Sequence, residues 1–382
     1  MAIDQIKNNK TIKVLLTLLI LLALIISIGF LYSPHFKSKF GSGDNLEWSD
    51  EAQERDTFKK IIDYRYYSGR PGPSSYFNPV QLLVWRYMRT HYGTNHHPYH
   101  LLCNLIHIIN TIIVFFLLKI FIKNKFLTFT AALSFGVYYL NFQTVGWIAS
   151  AIAIGLTGFF ILSTLLLVIK YFQTKNKFFY FLSLLAFFLG TFTKEPVVFA
   201  IPILLAYYLI VQREKVLKFI KTDLIFLPYL ILSVPIILIT FARLSNSAVV
   251  NLWGGFNLGI HMLYRFIDFI NYLITIIPVS FTIQIIVAIF ILLLFPLLIY
   301  YGLKDRKLLF LSIWLVLSIS IYTYSNFRDI YGLARYLYLP SVAWFGLLYY
   351  IAANIKNIKM KIITSFCLIN YTIILNLFLI LR

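Results

Sequence analysis

Half of the acidic side chains in this chain lie in one polar stretch, residues 34–99, and they are the first candidates for chemistry. A positioned carboxylate can accept the proton of a reacting hydroxyl as a general base. The seven acids are Asp44, Glu47, Asp50, Glu51, Glu54, Asp56 and Asp63. A segment rich in Gly, Pro and Ser, residues 68–75, follows them and carries Arg70. If the protein is an enzyme, its carboxylates are expected in this stretch.

Two cationic side chains stand at the edges of apolar runs. Lys194 lies in the sequence Thr193–Pro196, and Arg335 opens the sequence Arg335–Ser341, which also contains Tyr336. One reading is structural: a lysine can extend to the interface while its stem stays apolar, and arginine with tyrosine can form an interfacial anchor. The alternative is a site for an anionic lipid headgroup or phosphate, which Lys and Arg bind through charge-assisted hydrogen bonds.

A polar stripe opens the second apolar run. His100, Asn104, His107 and Thr111 are spaced by four, three and four residues, so they share one helix face. Polar groups at membrane depth normally face the protein interior or a water-filled cavity. The stripe is therefore either a set of hydrogen bonds between helices or the lining of a cavity. A metal site is disfavoured, because the two histidines are two turns apart and no third ligand is near in sequence.

The composition is that of a polytopic membrane protein. Of the 382 residues, 60% are hydrophobic and 13% are charged, and the mean hydropathy is +0.80, whereas about 25% of residues are charged in soluble proteins. The net charge of +20 does not indicate nucleic-acid binding, because the basic residues form small groups between apolar runs. Cys103 and Cys367 both fall in apolar runs, so no disulfide framework is indicated.

The apolar runs predict an all-α protein with about eleven transmembrane helices in one domain, residues 1–382, with no soluble C-terminal domain. The first run lacks a cleavage pattern and is predicted to be a retained anchor. The runs lie at residues 12–32, 101–122, 126–145, 147–170, 177–193, 196–212, 223–242, 281–302, 307–324, 336–353 and 360–381.

The basic residues also predict an orientation, since cytoplasmic connections carry the excess of Lys and Arg. Lysines precede the first run, and every second connection after it is basic. This pattern predicts a cell-membrane protein with a cytoplasmic N-terminus and an external C-terminus. The long loop 33–99 and a second segment, 244–280, are then external, together with Lys194 and Arg335. Pro79–Tyr92 and residues 257–277 are predicted to be interfacial helices.

Five motifs, taken together, resemble those of GT-C type membrane glycosyltransferases that use polyprenyl-phosphate sugars. The likeness is greatest to the membrane part of the O-mannosyltransferases that also carry tetratricopeptide repeats. The motifs are Tyr76–Val80, Tyr99–His107, Gly146–Ala149, Thr193–Glu195 and Arg335–Ser341. They follow the family's order and cover residues 45–345. Arg335–Ser341 is the most specific of the five.

The resemblance implies an enzyme that transfers a sugar, with inversion, from a polyprenyl-phosphate-sugar donor to a hydroxyl of a glycan, lipid-linked glycan or protein at the external membrane face. Asp50 is predicted as the general base, with Glu51 and Asp44 as alternatives. The substrate-binding residues would be Lys194, Glu195, Arg335, Tyr336, Arg70, His100 and His107. No metal or other cofactor is expected, because side chains can neutralise a monophosphate. The partners are the donor, the acceptor and membrane lipids.

The chain departs from this family in two respects. Where the family has an arginine before proline, this chain has Phe77 or Asn78, so that substrate contact is either lost or taken over by Arg70. No tetratricopeptide repeats follow, which leaves the acceptor open. A transporter or flippase component for lipid-linked sugars is an alternative, although such proteins commonly show internal repeats and none is found here. A ligase or polymerase of surface glycans is another alternative.

Overall fold

A computed structural model describes residues 10–40, 43–63, 77–212, 224–244, 259–275, 280–323 and 333–380. Across these ranges every regular element is helical, which confirms the predicted all-α class. The helices are α1 (Lys10–Tyr32), α2 (Asp44–Glu54), α3 (Phe58–Ile62), α4 (Pro79–Tyr92), α5 (His96–Phe121), α6 (Lys125–Gly136), α7 (Phe142–Gly146), α8 (Ile148–Thr174), α9 (Lys177–Thr191), α10 (Glu195–Val211), α11 (Leu227–Leu244), α12 (His261–Ile274), α13 (Phe281–Lys304), α14 (Arg306–Ser320), α15 (Ala334–Asn354) and α16 (Ile358–Ile380).

The protein is a helical membrane protein. Within the described ranges, six helices are long and apolar enough to cross a membrane: α1, α5, α8, α11, α13 and α15. The shorter apolar helices α9 and α10 add to them. Within the described residues, each of the eleven predicted apolar runs consists largely of helix, but the number of crossings stays a prediction. One run differs from its expected form, because the helix in residues 126–145 stops at Gly136 and continues as a 3₁₀ turn and α7.

The core is a continuous layer of apolar and aromatic side chains around α5. Helix α5 packs against α1, α6 and α8, and α15 packs against α6 and α14. Val114, Leu117 and Leu118 of α5 are fully buried in this layer. Large faces of α1, α11 and α13 remain apolar and exposed, as expected for helices that face lipid.

Lysines gather at one end of this bundle. Lys119 is within electrostatic range of Lys125 and Lys170, and Lys307 Nζ donates a hydrogen bond to Ile120 O at 3.4 Å. We call this the basic end. His100 lies on the same helix as Lys119, about 28 Å away along the axis at 1.5 Å per residue. The elements around His100 therefore form the opposite end.

Both segments predicted as interfacial helices contain a helix, α4 and α12, and each helix buries part of its polar side chains. In α4 the buried face includes Gln81 and Trp85, while Leu83 and Tyr87 are exposed. In α12, Arg265, Asp268 and Tyr272, which recur at helical spacing, are buried, and Leu263 is 64% exposed. An apolar outer face suits contact with lipid rather than water.

Candidate active site

The candidate site is organised around residues Phe142–Ser150, which we call the hub segment. It begins with α7 and is interrupted at Trp147, whose extended backbone (φ −95°, ψ 111°) separates α7 from α8. Gly146 allows a close approach here, because a Cβ at this position would lie 2.6 Å from His35 Cε1. The hub segment contacts α5 and the 3₁₀ turn at the start of α15.

Helix α2 carries the candidate carboxylates and is fixed to the hub segment. The Ala149 N–H donates to Asn45 Oδ1 at 2.9 Å, and Asn45 Nδ2 donates to the Phe40 carbonyl. Asn45, Ser49 and Ala52 form the buried face of α2. Asp44, the first residue of α2, is half-buried and precedes Asn45, so it belongs to the end of α2 that contacts the hub segment.

The other two candidate acids have different surroundings. The Asp50 side chain is 62% exposed and lies 3.7 Å from Arg89 Nη2 of α4. Glu51 forms an ion pair with Arg55, whose side chain is only 2% exposed. Arg86 Nη1 in turn donates to the Arg55 carbonyl at 2.6 Å, which joins α4 to the end of α2.

Arg335 lies against the hub segment. Its guanidinium carbon is 5.0 Å from the Trp147 ring and 5.0 Å from the Tyr336 ring, at cation–π distance. The Arg335 backbone N–H donates to Gln143 Oε1 at 3.3 Å. The Arg335 side chain is half-buried. The hub segment therefore contacts both Asn45 of α2 and Arg335.

The turn that carries Lys194 and Glu195 is joined to the same end of the bundle. The Val80 N–H at the start of α4 donates to Phe192 O at 3.0 Å. The rings of Phe77 and Phe192 pack edge to face with centroids 6.0 Å apart. These contacts place the residues around Asn78 next to the turn that carries Lys194. One site that uses both segments requires them to be neighbours.

Tyr322 connects this turn to the start of α15. It is buried, its ring lies 4.8 Å from that of Tyr336, and it is within electrostatic range of the Glu195 carboxylate. Lys194 and Glu195 are both half-buried. The structure thus brings the Lys194 turn, the Arg335 segment and the hub end of α2 to one end of the bundle. Arg70 lies outside the described residues.

The two stripe histidines have different roles in the packing. His107 is fully satisfied: its Nε2 donates to Gly136 O at 2.8 Å, and its Nδ1 accepts from the Tyr338 hydroxyl at 2.8 Å. Asn110 Nδ2 donates to the same hydroxyl at 3.0 Å. His107 therefore ties α5 to α6 and α15. His100, nearer the hub segment, is bonded through Nε2 to Ser38 O at 3.2 Å.

One charged group near this end was not assigned from the sequence. Arg265 and Asp268 of α12 form a buried ion pair, and Gln284 Nε2 donates to Asp268 Oδ1 at 2.7 Å. Helix α12 also contacts the 3₁₀ turn that carries Arg335. The sequence shows that Arg265 and Asp268 recur at helical spacing, but spacing alone does not tell whether that face of the helix points inward or outward.

Metal binding receives no support from side-chain grouping in the ranges that the structure describes, where no three His, Cys, Asp or Glu residues are placed to hold an ion. The same end of the bundle carries carboxylates on α2, cations on two other segments, and the rings of Trp147 and Tyr336 against Arg335. A scan against protein-family models finds no match for this chain, and a search of curated proteins finds no similar sequence.

Proposed function

We propose that the protein is a GT-C type membrane glycosyltransferase that moves a sugar from a polyprenyl-phosphate-sugar donor to an acceptor hydroxyl at the external membrane face. The acceptor is a glycan, a lipid-linked glycan or a protein. The observation that carries this proposal is the hub segment, which contacts α2 through Asn45 and Arg335 through Trp147. A base and a phosphate-binding cation are the two groups that such a transfer needs.

Arg335 and Lys194 are the proposed phosphate ligands. As the bond from the anomeric carbon to the phosphate breaks, negative charge grows on the leaving phosphate. Cations held in a site of low dielectric stabilise that charge more strongly than they would in water. Arg335 is oriented by two aromatic rings and by Gln143, so little reorganisation is required during the reaction.

Asp44 is the proposed base. It adjoins the Asn45–Ala149 contact and lies at the hub end of α2. Asp50, the first choice from the sequence, lies six residues further along, about 9 Å down the helix axis, and is mostly exposed. Glu51 is engaged by Arg55. In the transfer, the carboxylate takes the acceptor proton while the acceptor oxygen bonds to the anomeric carbon and the lipid phosphate departs.

The test compares Asp44→Asn, Asp50→Asn and Glu51→Gln in lipid nanodiscs supplied with labelled polyprenyl-phosphate sugars and a glycan acceptor. Asp44→Asn should lower the transfer rate by about 100-fold or more with unchanged donor affinity. Asp50→Asn should stay near wild type. Wild-type transfer by Asp44→Asn would contradict its role as base.

The transporter alternative is separated by a second assay on the same samples. Wild-type protein that carries a labelled lipid-linked sugar across vesicles, but forms no new glycosidic bond with any donor tested, would contradict the glycosyltransferase. New glycosidic bonds that depend on Asp44 and Arg335 would support it.

A further inference from the structure

The backbone between α6 and the regular part of α8 is interrupted repeatedly. After Gly136 come a 3₁₀ turn (Tyr139–Asn141), α7, the extended residue Trp147 and a π-helical stretch, Ala151–Gly155. In a membrane protein, irregular backbone occurs where it is enclosed by protein or lines a cavity. π-helical turns are frequent at functional sites. All five residues of the π-helical stretch are buried, so this segment is part of the interior.

Six buried polar atoms on this segment and on the adjoining helix α5 have no hydrogen-bond partner within the described residues. Two of them, Asn110 Oδ1 and Asn141 Oδ1, belong to amides whose Nδ2 groups donate to backbone carbonyls. The other four lie on the hub segment or in the first three turns of α5. They are Thr144 Oγ1, Ser150 Oγ, Asn104 Oδ1 and His100 Nδ1. Their residues are 2%, 4%, 4% and 3% exposed, respectively. Buried polar atoms are nearly always bonded, because an unpaired one costs free energy. On neighbouring elements, these four atoms leave hydrogen-bonding capacity that a polar ligand or water can use.

Other polar groups of the same helices show what a purely structural role looks like. Thr111 Oγ1 donates to His107 O at 2.9 Å, and Thr164 Oγ1 donates to Phe160 O at 2.7 Å. Asn110 Nδ2 donates to Gly155 O at 2.8 Å and so holds α5 against the π-helical stretch. The hydroxyls of Thr111 and Thr164 are thus satisfied within their own helices, whereas those of Thr144 and Ser150 are not.

The four atoms are uncharged, which defines the chemical class of ligand. Because the Ser38 carbonyl can only accept, His100 Nε2 carries the proton in that contact and Nδ1 is left as an acceptor. Asn104 Oδ1 is also an acceptor, and the two hydroxyls can donate or accept. A set of this kind matches the hydroxyl groups of a sugar. An anionic phosphate is better matched by Arg335, whose guanidinium packs on the Trp147 ring. In the sequence, Trp147 lies between Thr144 and Ser150.

We propose that Thr144 and Ser150 of the hub segment, with Asn104 and His100 of α5, form a saccharide subsite that binds the hydroxyls of the donor sugar. This inference rests on the proposed function and adds the part of the substrate that these residues recognise. The sugar would lie between the hub segment and α5, and the donor phosphate would lie towards Arg335.

The test measures binding rather than transfer. Purified full-length protein in nanodiscs is titrated with polyprenyl phosphate and with polyprenyl-phosphate mannose, glucose and N-acetylglucosamine. Thr144→Val keeps the shape of the side chain and removes its hydroxyl. It should weaken the best-bound sugar lipid by about 10-fold to 100-fold and leave polyprenyl phosphate unchanged. Thr144→Ser should restore binding, and Ser150→Ala provides a second variant. Thr164→Val, at a buried threonine that is bonded to its own helix, is the matched control.

The outcomes separate the two proposals. A wild-type protein that binds none of the sugar lipids contradicts the glycosyltransferase itself. If the wild type binds a sugar lipid, but Thr144→Val and Ser150→Ala weaken it no more than they weaken polyprenyl phosphate, the saccharide subsite alone is contradicted. That second result would mean that the four atoms are satisfied by water. A selective loss with the sugar lipid, rescued by Thr144→Ser, supports the subsite.

Discussion

The two ends of the helix bundle are built in different ways. At the basic end, four helices begin with an Asn or Asp side chain that accepts hydrogen bonds from the first turn: Asn124, Asn176, Asp305 and Asn357. At the opposite end, Asn95 and Ser280 cap two helices similarly. The segments that begin at Phe142, Glu195 and Ala334, however, have no side-chain cap, and they carry or adjoin the candidate site residues.

This difference separates connections that stabilise the fold from connections that form a site. An Asx cap satisfies backbone N–H groups locally and needs no distant partner. The uncapped segments are held by contacts between distant parts of the chain, such as Asn45 with Ala149 and Arg335 with Gln143. Such segments can present side chains in arrangements that a regular helix does not offer.

The largest expected effect compares one cation from each end. Arg335→Ala should lower the rate of sugar transfer by about 100-fold to 1,000-fold, because it removes a preorganised charge beside the leaving phosphate. Lys307→Ala, at the basic end, should leave the rate within about twofold, since its Nζ meets only the Ile120 carbonyl among the bonds described for it. The measurement is the initial rate of sugar transfer by each variant at saturating donor concentration. Similar losses in both variants would contradict the functional difference between the two ends.

A second prediction separates the two tyrosines of the Arg335–Ser341 motif. Tyr338→Phe should lower the free energy of unfolding by about 1–3 kcal/mol, because it leaves His107 Nδ1 and Asn110 Nδ2 without the Tyr338 hydroxyl in a buried network. Tyr336→Phe should have little effect on stability and should lower transfer, since it removes the hydroxyl that accepts a hydrogen bond from Arg335 Nη2 at 3.4 Å. Denaturant unfolding in detergent and transfer rates are measured on the same samples. Equal destabilisation by both variants would count against this division.

The basic end could be predicted from the sequence more fully than the site. Apolar run lengths place the helices, the lysines mark the connections, and Asn or Asp before an apolar run marks a helix start. All of these signals are local. The run 126–145 shows the limit, because apolar composition is the same whether a buried segment is a straight helix or one broken after Gly136. Only the surrounding contacts decide between the two.

The arrangement of the site depends on pairs that are far apart in the chain. Motif spacing pointed to Lys194 and Arg335, and the structure brings both to the end of the bundle that carries α2. The proposal of Asp44 rather than Asp50 as base rests on the Asn45–Ala149 bond, a contact between distant parts of the chain that motif spacing does not predict. The inward orientation of Arg265 is also a tertiary property: a periodic stripe identifies one face of a helix but not its neighbour.

A third prediction concerns the caps of the basic end. Asn124→Ala removes the side-chain oxygen that accepts from the Phe126 and Leu127 N–H groups. It should lower the free energy of unfolding by about 1 kcal/mol, while transfer by the folded protein stays unchanged. Asn124→Asp should retain the cap and the stability. A loss of transfer in Asn124→Ala at full folding would show that the basic end contributes to the site after all.

The smallest expected effect concerns an exposed ion pair at the site end. Lys60 Nζ lies 2.8 Å from Asp56 Oδ1, and their side chains are 36% and 63% exposed. The hydrogen bond from Lys60 lowers the pKa of Asp56. Because that pKa is lowered, any stabilisation from the pair is present above the ordinary Asp pKa of about 3.9 and is lost as the pH falls through the lowered value.

Lys60→Ala should therefore raise the pKa of Asp56 towards its ordinary value, with stability and transfer at pH 7 unchanged within error. Carbon-13 NMR of labelled aspartate in nanodiscs measures the titration, and Lys59→Ala on the same short helix is the control. Exposed ion pairs contribute little because water screens them. A marked loss of transfer in Lys60→Ala would instead extend the site along the loop beyond α2. It would show that an exposed charge at this end of the bundle contributes to transfer even without buried contacts.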